Sequence, residues 1–178
     1  MRRAIAASLT AATLFSFAPQ AAAHHMIVRD QEDTPGRLDV RRVEVVGSSP
    51  RSWIIKTYRT WGARGIYDKG YLLIYLDTFG GNRFDYYVLI QSLKRKLKGS
   101  VWRDLKNAND FVVGPTKINR SNRRTVRTTV PFRKLRVPDT QADYRWHVRT
   151  IYLKRSCWKA VCMDRAPQGG SVVEPLIP

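Results

Sequence analysis

The sequence predicts an all-β fold: a single antiparallel β-sandwich of immunoglobulin or jelly-roll type, with eight or nine strands and one disulfide. Three observations carry that expectation. From Leu38 onward no window of about eleven residues shows helical periodicity. Short apolar runs, among them 71–76 (YLLIYL) and 86–90 (YYVLI), are separated by clusters of Gly, Asn, Asp and Pro. In 144–153 the alternation is strict: Tyr144, Trp146, Val148, Thr150 and Tyr152 share one face, and Arg145, His147 and Arg149 share the other.

The chain divides in order. Residues 1–23 have the form of an export signal. Arg2 and Arg3 make a positive start, 4–18 is apolar, and Ala21-Ala22-Ala23 offers the small residues a signal peptidase accepts, with cleavage expected between Ala23 and His24. Residues 24–37 are polar and read as a flexible lead-in, so the domain is expected over 38–178. Strands are expected at 38–46, 52–58, 71–76 and 86–90, the last two forming a hairpin across the glycines of 77–83. A more polar hairpin is expected over 93–105, turning at Gly99-Ser100. Strands at 111–118 and 125–132 follow, with Val126, Thr128, Val130 and Phe132 on one face. The tail from Ala166, rich in Pro and Gly, is expected to lie along the surface.

Composition limits the function. Apolar content of 43% with 11% aromatics is too much for a disordered chain. The 32 basic and 14 acidic side chains give +18, or +16 once Arg2 and Arg3 leave with the signal. Export predicts a disulfide between Cys157 and Cys162, because an oxidising compartment favours it. It also argues against intracellular nucleic acid as a partner. No Gly-x-Ser-x-Gly appears, and the expected domain holds one histidine, His147, to act as a base. The reading is a non-catalytic protein.

The hairpin LDTFGGNRFDYY (76–87) resembles family 9 carbohydrate-binding and DOMON-like modules, where one strand ends in Asp-Thr and the next begins Asp-Tyr. With TTVPFRKL (128–135), YRWHVRT (144–150) and the C-x4-C followed by DRAP (164–167), the chain is also similar to small secreted actinobacterial proteins without an assigned function. The resemblance implies a secreted β-sandwich and brings no catalytic residues with it.

Three binding sites are expected. Lys94, Arg95 and Lys96, with Arg120, Arg123, Arg124 and Arg127, concentrate positive charge that gathers polyanions, which outside the membrane means anionic envelope polymers or polysaccharides. Trp61 and Trp158, each beside a cation and near a loop, are the candidates for stacking on a neutral sugar, whereas Trp53, Trp146 and Trp102 are expected in the core. Asp77, Asn82 and Asp85 are a weak calcium set, since the loop between them lacks the acidic run that calcium prefers. A third class is a copper enzyme. A processed N-terminal His24 together with His147 would supply the ligands, as in lytic polysaccharide monooxygenases.

Overall fold

The computed structural model describes residues 25–47, 50–81, 83–138 and 140–176. Eleven strands form: β1 (His25–Arg29), β2 (Val40–Val46), β3 (Arg51–Thr57), β4 (Gly70–Asp77), β5 (Tyr86–Leu93), β6 (Lys96–Arg103), β7 (Phe111–Asn122), β8 (Thr125–Val130), β9 (Asp143–Leu153), β10 (Val161–Ala166) and β11 (Val172–Pro175). One helical turn, α1 (Ala63–Ile66), lies between β3 and β4. Among the described residues no helix is long and apolar enough to cross a membrane.

Alternation builds the interior. Val101, Val88, Ile74, Val148 and Ala166 sit directly opposite one another on β6, β5, β4, β9 and β10, and make one continuous buried row. Val43, Ile55 and Val126 do the same on β2, β3 and β8. Such cross-strand pairs are the unit of sheet stability. The hairpin expected from 71–76 and 86–90 is β4–β5, paired from Tyr71–Gln91 to Leu76–Tyr86.

The expected sandwich of eight or nine strands needs correction. The hydrogen-bonded order is β1-β2-β3-β8-β7-β6-β5-β4-β9-β10, with β11 also on β9, a continuous antiparallel sheet curled nearly into a barrel. The cause is β7. Over 12 residues it pairs first with β6 (Phe111 to Thr116) and then with β8 (Lys117 to Asn122), so it turns a corner that would otherwise separate two sheets. The start of β2 meets β10 and β9 through side chains: Asp164 of β10 accepts the Val40 amide at 2.5 Å, and the Thr150 hydroxyl of β9 donates to the Leu38 carbonyl at 2.7 Å.

Three further expectations fail locally. The segment read as a lead-in contains β1, whose five residues pair with β2 from His25–Val46 to Arg29–Arg42. The tail read as surface contains β11. The polar hairpin turns at Lys94 and Arg95, both with positive φ (50° and 62°), the two-residue geometry whose twist suits a hairpin. Gly99 is instead inside β6, where a Cβ would come within 2.6 Å of Thr116 and Ile118 of β7. It permits a close approach of strands and makes no turn.

The disulfide joins Cys157 and Cys162, with Cα atoms 5.1 Å apart, and pins the β9–β10 connection. The loop is short, so chain-entropy reasoning gives about 2 kcal/mol. The double variant Cys157→Ser/Cys162→Ser should therefore melt about 4–8 °C lower than the parent by calorimetry. An unchanged midpoint would show that the bond does not constrain the unfolded chain.

Candidate functional site

Every neighbouring pair in the sheet is antiparallel, so strand direction alternates along its order. The β1–β2, β3–β4, β5–β6, β7–β8 and β9–β10 connections therefore all leave from one end. That end receives both basic hairpin tips: Lys94 and Arg95 form the β5–β6 turn beside Lys96, and Arg123 and Arg124 form the β7–β8 turn. All five are exposed, and none makes an ion pair among the described residues. Arg37, Lys154, Arg155 and Lys159 join them from the other connections. The same end also carries Asp30, Glu32, Asp33 and Asp39 in the β1–β2 connection, where Glu32 pairs with Arg59. At the opposite end Arg83 pairs with Asp104, and Asp85 and Asp110 share the connections with Lys106, Arg133, Lys134 and Arg136.

A cleft of about 570 Å³ opens at the basic end, lined by Arg37, Trp61, Gly62, Arg120, Asn122 and Arg123. Trp61 is its floor. Its amide donates to the Arg123 carbonyl at 3.0 Å, which ties the β3–β4 connection to the β7–β8 tip. The Arg120 guanidinium lies 3.9 Å from the Trp61 ring centroid and donates to the Trp61 and Asn122 carbonyls at 3.0 and 3.1 Å. Burial lowers its pKa from the ordinary arginine value, and the ring face with the two carbonyls holds the guanidinium in place.

The expected sites divide accordingly. Lys94, Arg95, Lys96, Arg123 and Arg124 all lie at one end of the sheet, on two separate hairpin tips. Arg120 supports the cleft through Trp61, and Arg127 leaves the group, facing outward from β8 and donating to the Ser52 hydroxyl at 3.1 Å. Trp61 is only 3% exposed, which removes it as a sugar platform, while Trp158 is 76% exposed with Lys159 at 4.4 Å. Trp102, expected in the core, is half-buried on the outer face, its ring parallel within 3° to that of Tyr87.

The loop expected to bind calcium uses its carboxylates on itself. Asp77 accepts the Gly80 amide at 3.0 Å and pairs with Arg145, and Asp85 accepts the Thr78 and Phe79 amides at 2.9 and 3.0 Å. Asn82 lies outside the described residues, as do Ala23 and His24. His147, expected on a solvated basic face, is instead buried in an aromatic layer. It stacks on Tyr75 at 4.8 Å and meets the Phe84 edge at 4.5 Å. Burial, with Arg165 and Arg149 nearby, pushes its pKa down to about 3. Among the described residues it belongs to no group of three or more potential metal ligands, and His24, its partner in the expected copper arrangement, lies outside them.

Sequence reading missed two contributors. Arg37 sits in the segment read as a lead-in, and only the sheet order brings it to the cleft. Arg29, Arg42 and Lys56 stand directly opposite one another on β1, β2 and β3, a cross-strand row of like charge that requires the register to be seen. No family model, curated protein or solved structure matches the chain.

Proposed function

We propose that the protein is an exported binding protein that holds anionic envelope polymers at the basic end of its sheet. The carrying observation is that Lys94, Arg95, Lys96, Arg123 and Arg124, none in an ion pair among the described residues, lie at the same end of the sheet as the cleft lined by Arg37, Arg120 and Arg123. Like charges brought together repel one another, and an anionic group seated between them relieves that repulsion. The cleft suits one phosphate or carboxylate of a repeating polymer, and the hairpin tips suit its neighbours. The signal-like start and the disulfide support export.

The test is binding of the processed protein to immobilised poly(glycerol phosphate) at 50 and 200 mM salt. With about five contacts, each contributing a slope near 0.7 as for single-stranded polyanions, affinity should fall about 100-fold. Arg123→Glu/Arg124→Glu should reduce both the affinity and the salt slope. Binding that ignores salt, or a variant that binds as the parent does, would reject the proposal.

A second reading, carbohydrate binding as the resemblance implies, is supported by the outer aromatic layer of Tyr75, Tyr87 and Trp102. Stacking on a neutral glycan there would be insensitive to salt and lost in Trp102→Ala.

A further inference from the structure

Where the chain leaves β1 and reaches β2, it passes β10 and brings together carboxylates from three places in the sequence. Oxygens of Asp33, Asp39 and Asp164 lie within 4.8 Å of one another. Asp39 is fully buried, and neither of its oxygens has a hydrogen-bond partner; the Thr34 amide faces it without completing a bond. Asp30 is next to them, and its Oδ2 is likewise buried and unpartnered. Among the described residues no Lys or Arg forms an ion pair with any of these four aspartates.

From this juxtaposition we propose that Asp33, Asp39 and Asp164 bind a divalent cation of calcium type at the seam between β2 and β10. Calcium takes six to eight oxygens with tolerant geometry, so three carboxylates, Asp30 and water meet its needs. Asp164 is held in place by two backbone donors, Val40 at 2.5 Å and Arg165 at 2.6 Å, and keeps lone pairs for an ion. Asp33 is exposed and gives a route from solvent. Asp30 and Asp164 are within side-chain hydrogen-bonding reach of each other, so a cation bound between them would displace a proton that the two carboxyls otherwise share. Arg149 and Arg165 line the same mouth and oppose a cation, so affinity should be that of a weak extracellular site, on the order of 10⁻⁴ M. This inference stands apart from polyanion binding.

The experiment uses the processed full chain. Terbium should give a saturable luminescence, excited through Tyr58, whose hydroxyl donates to the Asp30 carbonyl at 2.7 Å. Calcium should displace it, and calcium should raise the melting temperature above that in chelator. Asp33→Asn, at an exposed position, should weaken terbium binding at least tenfold without lowering the melting point in chelator. Asp39→Asn should abolish the calcium response yet melt higher than the parent in chelator, because it removes an uncompensated buried charge. Absence of saturable terbium binding with equal melting in calcium and chelator would overturn the site. So would terbium binding that both variants leave intact.

Discussion

Glu174→Gln is expected to destabilise the fold by about 3–5 kcal/mol, the range for breaking a buried ion pair by removing one partner. Arg51 opens β3 and is 1% exposed, an unusual burial for a guanidinium. Its Nη1 donates to Glu174 at 3.0 Å and to the Tyr144 hydroxyl at 2.8 Å, and its Nη2 reaches the Pro175 carbonyl. Tyr144 donates in turn to the same Glu174 oxygen at 2.6 Å, and the guanidinium lies 4.7 Å from the Tyr144 ring and 5.5 Å from Phe132. Burial and the Glu174 charge push the Tyr144 hydroxyl far above the ordinary phenol range, so it remains a donor. The network ties β3 to β11 and β9 across the closed end of the interior. Glutamine preserves the shape and removes the negative charge that the buried Arg51 guanidinium faces at 3.0 Å. Thermal denaturation should show a midpoint about 10 °C lower. Arg51→Met/Glu174→Leu should recover most of the loss, because an apolar replacement leaves neither charge unpaired. If Glu174→Gln melted like the parent, the network would be ornamental to stability.

That network marks a boundary of what sequence reading reaches. The faces of β9, the β4–β5 hairpin and the disulfide were legible, because period two, turn glycines and cysteine spacing are local signals. Arg51 was not: an isolated arginine beside Ser-Trp reads as surface, and only the arrival of Glu174 from the far end of the chain makes its burial tolerable. β1 was missed for a related reason. Its three apolar residues, Met26, Ile27 and Val28, are consecutive and show no alternation, so the pairing with β2 supplies the order. Lys94 and Arg95 were read as strand because their side chains carry no turn signal; the hairpin imposes positive φ on them. Of the basic site, the two tips were visible as charge runs. That they share one end of the sheet, and that Arg123 lines a cleft with Arg37, was not, because it depends on the alternation of strand direction through a corner at β7.

The pH dependence of stability should separate two buried groups that act in opposite directions, provided a chelator keeps metal away. Burial and Asp164 raise the Asp39 pKa to about 7, with Asp33 and Glu32 adding to the repulsion, and burial and Asp164 raise Asp30 to about 6. The folded chain then holds protons that the unfolded chain has released, so these groups favour folding at low pH and lose that contribution as pH rises from about 4 to 7. His147 works the other way. With its pKa near 3 when folded, against 6.5 unfolded, the unfolded chain binds the extra proton, and stability falls as pH drops below about 6.5. Between pH 6.5 and 4 that loss is on the order of 3 kcal/mol. In the parent the two trends oppose each other. Asp39→Asn should therefore make the fold more labile to acid than the parent. His147→Phe, which fits the aromatic layer of Tyr75 and Phe84, should leave a protein whose melting temperature declines more steeply as pH rises from 4 to 7. Melting curves of the three proteins across this range decide the matter: parallel profiles would mean that neither Asp39 nor His147 titrates differently in the folded and unfolded chains. Adding calcium should then flatten the descending arm of His147→Phe, because an ion competing with protons at Asp39 restores at neutral pH the compensation that protonation provides at acid pH.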